Sequence, residues 1–296
     1  HCRTRFPTLL VRVAVQQICY SVALYRESQK HHSPQRCQAT VPPNDMSMKH
    51  SVSWWCFEEK MKPQEFISAI KDTGYDGIDL VPREYWEPVH AAGLEVASVE
   101  AHRSIEDGLN KPENHDRIEG EILESIQLAP QHGHACLVCF SGNRHSDTDE
   151  QGIDVTVAGL QRVAPAAERA GVTLVLELLN SKVDHPEYQC DHTAWGVEVV
   201  KRVGSSHVKL LYDIYHMQIM EGDLVRTIRE HHEHFAHYHT GGNPGRSEID
   251  ERQEIYYPTV IAAIRDTGYE GYLGQEFIPV GDPLESLKSA RRICEV

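Results

Sequence analysis

From residue 48 onward the chain alternates between short apolar runs and longer segments in which apolar side chains recur every three or four positions. The short runs predict strands, and the longer periodic segments predict helices between them. Turn signals support the boundaries, since Pro63 stands where a first helical turn tolerates it and Gly74 follows the last apolar turn. The eight predicted strands are 50–54, 77–81, 94–100, 135–141, 173–178, 208–213, 235–240 and 271–276.

The spacing of these elements predicts a closed barrel. Eight strands over 249 residues leave about 31 residues for each strand–helix unit, and a (β/α)8 barrel takes ~250 residues. A doubly wound open sheet is the alternative, but it usually has a Gly-rich phosphate-binding turn after its first strand, and none follows Trp54. Residues 69–77 (AIKDTGYDG) recur as 263–271 (AIRDTGYEG), which indicates a repeated unit. We therefore predict an α/β fold, a single (β/α)8 TIM barrel over 48–296.

Residues 1–47 differ from the rest of the chain in charge. They contain six basic and two acidic side chains, a sum of +4, so the net charge of −15 leaves −19 on the other 249 residues. The apolar stretch 6–25 is interrupted by Arg12, Gln16 and Gln17, which argues against a membrane-spanning helix of ~20 apolar residues. Arg12 also divides the apolar core that a secretory leader needs. We interpret 1–47 as an N-terminal extension, poorly ordered or upstream of a start at Met48, with a leader that directs export as the alternative.

The overall charge restricts the classes of molecule that the protein is expected to bind. Lys and Arg number 29 against 44 Asp and Glu, whereas nucleic-acid binding needs clustered cations. We expect a small-molecule substrate, and neither nucleic acid nor a membrane. Cys136 and Cys139 lie in one predicted strand, where residues i and i+3 point to opposite faces, so they are interpreted as buried thiols. This use of cysteine is typical of a reducing cytoplasm, where we place the protein.

Four polar side chains stand at the ends of four consecutive predicted strands, which is where barrel enzymes carry their chemistry. They are Glu177, Asp213, His239 and Glu276. Their spacings of 36, 26 and 37 residues are close to one strand–helix unit each, so the side chains can converge. Buried carboxylates are costly and repel one another unless a cation neutralises them. Three carboxylates with one imidazole predict a divalent metal ion, Mg²⁺ or Mn²⁺ first, with Co²⁺ and Zn²⁺ as alternatives.

Further polar residues follow the same strand ends. His216 lies three residues after Asp213, and Arg246 lies on a Gly/Pro-rich loop after His239. A planar guanidinium there can hold a substrate carboxylate or hydroxyl groups. We predict that these two residues bind substrate together with others that follow strands. The predicted substrate-binding residues are His216, Arg246, Asn180, His185 and Asn143, with Arg144 beside the last of them.

Several motifs in the second half of the chain are highly specific. They are ELLN at 177–180, YDIYHMQIMEGD at 212–223, PGR at 244–246 and QEF at 275–277. With these motifs the chain resembles the hydroxypyruvate isomerase family, which is part of the xylose-isomerase-like TIM barrels together with ketose 3-epimerases and inosose-processing enzymes. The resemblance covers residues 48–296 and is densest in the last 130 residues. It implies that Glu177 and Glu276 are the catalytic acid and base, that both contact the metal together with Asp213 and residue 239, and that the protein is a homodimer or homotetramer.

The chain departs from that family at one ligand position. The resemblance implies that hydroxypyruvate isomerases have Gln at the position of His239, whereas ketose epimerases have His, as this chain does. The loop 240–242 also lacks the acidic residue that the resemblance leads us to expect near it. The predicted reaction is proton transfer through an enediolate between two glutamates in a small hydroxy-carbonyl compound or sugar. The alternatives are a ketose 3-epimerase and a metal-dependent dehydratase or lyase of an oxidised sugar or inosose. A nuclease on the same barrel is disfavoured by the acidic charge, and a non-catalytic sugar-binding barrel is the remaining hypothesis.

Overall fold

The computed structural model describes residues 48–134 and 136–295. Within them, eight parallel strands form a closed barrel in which each strand pairs with the next and the last pairs with the first. This confirms the predicted (β/α)8 barrel and excludes the open doubly wound sheet. The extension 1–47 lies outside the described residues. The strands are β1 (Lys49–Ser53), β2 (Gly77–Asp79), β3 (Glu95–Glu100), β4 (Cys136–Cys139), β5 (Thr173–Glu177), β6 (Val208–Asp213), β7 (Phe235–Thr240) and β8 (Tyr272–Gln275).

Helices connect the strands of the described chain. The longest begins at a capping box, in which Thr148 Oγ1 accepts from the backbone N–H of Gln151 at 3.3 Å and Gln151 Oε1 accepts from that of Thr148 at 2.9 Å. It ends at Gly171, whose φ of +69° stops the helix. The helices are α1 (Pro63–Asp72), α2 (Trp86–Ala91), α3 (His115–His132), α4 (Asp149–Ala170), α5 (Thr193–Val203), α6 (Ile214–Met220), α7 (Leu224–His231), α8 (Tyr257–Arg265) and α9 (Pro283–Ile293).

The strand boundaries agree with prediction at β6 and β7 and differ by one or a few residues elsewhere. Strand β2 ends at Asp79 because Leu80 adopts a φ of +54°, which extended backbone cannot continue. Strand β8 ends one residue before Glu276, so this carboxylate stands on the loop side of the barrel. Ala135, the first residue predicted for the fourth strand, lies outside the described residues.

The internal sequence repeat corresponds to one junction used twice. Helix α1 ends at Asp72 and Gly74 has a φ of +82° before β2, while α8 ends at Arg265 and Gly268 has a φ of +79° before β8. Glycine serves at both turns because it adopts positive φ without steric cost. Strands β2 and β8 both pair with β1. The repeated junction therefore leads into the two strands that flank β1.

A continuous apolar core lies around the barrel strands and beneath the helices. Cys136 and Cys139 are free and buried in it, as predicted. None of the helices in the described residues combines the length and the apolar character that a bilayer crossing needs.

Candidate active site

The barrel brings the four predicted strand-end side chains together. Glu177 and Asp213 are the last residues of β5 and β6, His239 lies in β7, and Glu276 follows β8. All four are buried. One donor atom from each lies within 4.8 Å of the others. These four side chains, called the acid–histidine cluster below, stand at the C-terminal end of the barrel.

Strand register explains this convergence. Asp213 pairs with His239, and His239 pairs with Gly274, so the three positions lie side by side on adjacent strands. A Cβ atom at Gly274 would lie 2.7 Å from His239 Cδ2, which is closer than van der Waals contact allows. The absence of a side chain at 274 therefore makes room for the imidazole.

His239 is held between two carboxylates. Its Nδ1 lies 2.9 Å from Glu276 Oε2 and 3.6 Å from Glu177 Oε1. Burial lowers the pKa of His239, but the carboxylates of Glu276 and Glu177 outweigh burial and raise this pKa well above its usual value. The two distances from Nδ1 show that this ring nitrogen faces the cluster.

Arg246 supplies a positive charge to the same site. Its Nη2 lies 3.0 Å from Asp213 Oδ2 and contacts Glu276 Oε2. Burial raises the pKa of Asp213 to about 7 although Arg246 opposes it. Burial also raises the pKa of Glu276, but Arg246 and His239 outweigh burial and hold this pKa well below its usual value. The sequence predicts that Arg246 grips a substrate, and the structure places its guanidinium against two carboxylates of the cluster itself.

His216 is fully buried beside the cluster at the start of α6. Its Nδ1 lies 3.1 Å from the backbone nitrogen of Asn180 and accepts that N–H, and its Nε2 lies 3.6 Å from Asp213 Oδ2. Burial, with Arg246, lowers the pKa of His216 well below its usual value, so the ring is neutral. Because Nδ1 accepts, the ring proton is on Nε2, where it points toward the cluster.

The other predicted substrate-binding residues lie in loops at this end of the barrel. Asn180 Oδ1 accepts the N–H groups of residues 183 and 184 and so shapes the loop after β5. The His185 ring lies 5.4 Å from the His216 ring and is half-buried at the edge of the site. Asn143 is bonded through its main chain to Glu106. Arg144 forms ion pairs with Asp149, the first residue of α4, and with Asp191 in the loop after β5.

Trp55 is a site residue that sequence reasoning missed. Its Nε1 donates to Glu276 Oε1 at 2.8 Å. The Arg246 guanidinium carbon lies 5.1 Å from the Trp55 ring centroid and 5.3 Å from that of Tyr215, so it makes cation–π contacts with two aromatic rings. The Trp55 side chain remains 37% exposed at the mouth of the barrel. The available signal was its position directly after the first predicted strand.

A second buried polar group was also missed. Asp79 is fully buried in β2, and its carboxylate accepts from Ser98 Oγ at 2.7 Å and from Ser51 Oγ. His237 Nε2 lies 2.9 Å from Asp79 Oδ1. A donor atom of His239 lies within 4.8 Å of those of Asp79 and His237. The available signal was an acidic residue within an apolar strand, the same signal that identified Glu177.

The acid–histidine cluster suits a divalent cation. Three carboxylates and one imidazole are buried with their donor atoms close together, and such a set is unstable without a positive charge among them. The chain provides positive charge through Arg246 and through His239, whose pKa the carboxylates raise, and a divalent ion bound by these donor atoms could take over the charge that the His239 proton carries. Hard oxygen donors with a single nitrogen fit Mg²⁺, Mn²⁺ or Zn²⁺ in such a site.

Fold and site together define a (β/α)8 barrel with a buried acid–histidine cluster at its C-terminal end. Residues 67–294 match the family model described as xylose isomerase-like TIM barrel. The chain belongs to this family.

Comparison with individual proteins shows which members the chain is similar to in sequence. It is 31% identical over 137 residues to the putative hydroxypyruvate isomerase of Homo sapiens, a match that covers 46% of this chain and 50% of that protein. It is 30% identical over 161 residues to the 2-oxo-tetronate isomerase of Cupriavidus necator, which covers 54% of this chain and 61% of that protein. These matches confirm the predicted resemblance to hydroxypyruvate isomerases, although each covers less than two thirds of the relative.

Solved structures show the same fold. The D-psicose 3-epimerase of Clostridium cellulolyticum H10, determined with D-tagatose, superposes with a TM-score of 0.68 at 19% identity. The superposition covers 84% of this chain and 100% of that one. At this identity the likeness concerns the barrel alone.

Proposed function

We propose that this protein is a divalent-metal-dependent isomerase of a small hydroxy-carbonyl compound, similar to hydroxypyruvate isomerase. One observation carries the proposal. Two glutamates at the C-terminal ends of different strands, Glu177 and Glu276, converge with Asp213 and His239 in a buried site whose donor atoms lie within 4.8 Å. Relatives named hydroxypyruvate isomerase and 2-oxo-tetronate isomerase support the reaction class.

The acid–histidine cluster would hold the metal ion. When bound, a divalent ion would polarise the substrate carbonyl and acidify the neighbouring C–H bond. The protein contributes the remaining chemistry through side chains whose protonation the structure controls. Arg246 and His239 lower the pKa of Glu276, so this carboxylate is ionised, which is the form that can bind a metal ion or accept a proton.

The two glutamates share the proton transfer. One of Glu177 and Glu276 removes the proton from the carbon next to the carbonyl, and the other returns it. Return to the adjacent carbon is an isomerisation of the aldose–ketose type. The Nε2–H of His216 and the guanidinium of Arg246 are donors at the same site, and we assign them to orient substrate oxygens. Asn180, His185 and Asn143 shape the surrounding loops and contact the remainder of the substrate.

A ketose 3-epimerase is the second candidate because of His239. The motif resemblance associates His at this position with ketose epimerases and Gln with hydroxypyruvate isomerases. In an epimerisation the second glutamate returns the proton to the opposite face of the same carbon. The same acid–base pair therefore serves both reactions, and the product distinguishes them.

Deuterium incorporation tests the proposal. The full chain is loaded with Mn²⁺ or Mg²⁺ and incubated in D₂O with hydroxypyruvate, 2-oxo-tetronate, ketoses and inososes, and products are followed by NMR. We expect one deuterium at the carbon that receives the proton. Glu177→Gln and Glu276→Gln should each reduce turnover by about 10²–10⁴-fold, whereas Glu113→Gln, at an exposed position, should behave as wild type.

Three results would contradict the proposal. The proton-transfer mechanism is wrong if no substrate acquires deuterium while both glutamine variants bind ligand as wild type does. A new enone absorbance would instead identify a dehydratase or lyase. Binding of sugar without exchange would identify a non-catalytic sugar-binding barrel.

A further inference from the structure

The second buried polar group, formed by Asp79 with Ser51, Ser98 and His237, lies next to the acid–histidine cluster and contains an ionised carboxylate. Asp79 accepts hydrogen bonds from Ser51 and Ser98, on the two strands next to β2, and contacts His237 from across the barrel. Burial raises the pKa of Asp79, but His237, His239 and Ser51 outweigh burial and lower this pKa to about 2. A negative charge is therefore fixed in the barrel interior, close to His239 of the four predicted ligands.

His239 lies between this carboxylate and the cluster. Its Nδ1 faces Glu276 at 2.9 Å. The opposite edge of the ring faces Asp79, since a Cβ placed at Gly274 would lie 2.6 Å from Asp79 Oδ2 and 2.7 Å and 3.2 Å from His239 Cδ2 and Nε2. The Nε2 atom is buried and has no hydrogen-bond partner among the described residues. An oxygen of Asp79 lies within 4.8 Å of a ring nitrogen of His239 without a hydrogen bond between them, and Asp79 is the carboxylate on this side of the ring.

The position of the ring proton in a metal-binding imidazole explains why a carboxylate on this side of His239 is important. A nitrogen that binds a cation must offer a lone pair, so ligation through Nδ1 requires the ring proton to be on Nε2. A buried N–H without an acceptor costs about 1–3 kcal/mol. Metal-binding histidines usually donate their other N–H to a carboxylate or carbonyl, which fixes the tautomer and the orientation of the ring.

We propose that Asp79 is a positioning residue that accepts the Nε2–H of His239 and so presents Nδ1 of His239 to the metal ion. The proposal rests on the metal site of the proposed function and adds a residue outside the ligand set. A second ion bound by Asp79, His237 and His239 is the competing arrangement. It is disfavoured because that group contains one carboxylate, whereas the acid–histidine cluster contains three.

Binding of Mn²⁺ alone tests the proposal without reference to activity. The chelator-treated full chain is titrated with Mn²⁺, and free Mn²⁺ is followed by electron paramagnetic resonance. We expect one ion per chain, and Asp79→Asn should weaken binding by about 10–100-fold. Asp191→Asn removes the charge of another buried carboxylate, which is held by Ser181 and Arg144. It should change the affinity less than about threefold.

A double-mutant cycle separates positioning from general damage to the fold. If Asp79 acts through His239, Asp79→Asn should have an effect of less than about twofold when His239 is already Ala. An equal loss of affinity in both backgrounds would overturn the proposal, as would unchanged affinity in the single variant. Two bound ions per chain, with one lost in the Asp79 variant, would establish the competing arrangement. A wild-type chain that binds no ion would instead refute the proposed function.

A measurement on the wild-type chain covers the case in which Asp79→Asn fails to fold. The Zn²⁺-loaded protein is studied by long-range ¹⁵N–¹H correlation, and the His239 signals are assigned by their absence from His239→Ala. We expect a proton on Nε2 and none on Nδ1. A proton on Nδ1, or ligation through Nε2, would overturn the proposal.

Discussion

At the scale of single residues, Trp55, which lies just after the first strand of the barrel, contacts Glu276, which follows the last strand. Its indole N–H donates to Glu276, and its ring covers one face of the Arg246 guanidinium. The N–H bond holds Oε1 of Glu276, while Oε2 contacts His239 and Arg246. Trp55 thus restricts the rotation of a proposed catalytic side chain that would otherwise be free about its last torsion.

Replacing Trp55 by Phe keeps an aromatic ring and removes this donor. Hydrogen bonds to charged groups are worth about 1.5–3 kcal/mol, so we expect kcat/KM to fall by about 10–100-fold. The measurement is steady-state kinetics on the substrate identified by deuterium exchange. Trp195→Phe is the matched control, because Trp195 donates to a backbone carbonyl, Asp149 O, in a different part of the chain. Equal activity of Trp55→Phe and wild type would show that the bond has no catalytic role.

The residues of the cluster could be predicted because each stands at the end of a predicted strand and their spacings are close to one strand–helix unit. The role of Trp55 in the site could not be predicted, since an aromatic residue directly after a strand is typical of the apolar core. Asp79 carried the same signal as Glu177, but the direction of its side chain depends on the irregular register between β2 and β3 at Ile78 and Asp79. Such an irregularity reverses which face a residue occupies, and local sequence does not specify it.

At the scale of elements, the limits of two strands could be predicted fully, and those of a strand that ends in unusual backbone could not. Strands β6 and β7 start and end where predicted. Strand β2 is shortened by the positive φ of Leu80, a residue type that rarely adopts it. The closure of the sheet followed from the number and spacing of the elements, which is a property of the pattern as a whole.

The capping box of α4 gives an element-scale prediction. Thr148→Ala removes an N-cap acceptor from the longest helix in the described chain, and loss of such a cap costs about 1 kcal/mol. For a protein of this size the midpoint of thermal unfolding should fall by about 2–4 °C. Thr259→Ala in α8 is the control and should change the free energy of unfolding by less than about 0.5 kcal/mol. A Thr148→Ala midpoint equal to that of the control would contradict the prediction.

At the scale of the whole molecule, the barrel buries several ionisable groups whose protonation is linked to folding. His50 in β1 is 5% exposed, and its Nδ1 has no partner among the described residues. Burial, assisted by Arg291, lowers the pKa of His50 to about 4. The unfolded chain binds a proton at this ring near pH 6.5. The contribution of His50 is therefore complete above pH 6.5 and is lost as the pH falls from 6.5 toward 4.

His50→Gln removes this dependence. Between pH 8 and pH 5 the free energy of unfolding of the variant should fall by about 2 kcal/mol less than that of wild type. Denaturant unfolding at the two pH values measures the difference. His232→Gln, at an exposed ring, should show the wild-type dependence. Parallel curves for His50→Gln and wild type would show that His50 is not protonated differently in the two states.

The guanidinium of Arg246 has a consequence for how the protein matures. It already lies against Asp213 and Glu276, so two of the buried acids have a counter-charge that the polypeptide itself supplies. These two acids can therefore be buried together by the folding of the chain alone. In the proposed metal-bound state, the ion would share their negative charge with the arginine.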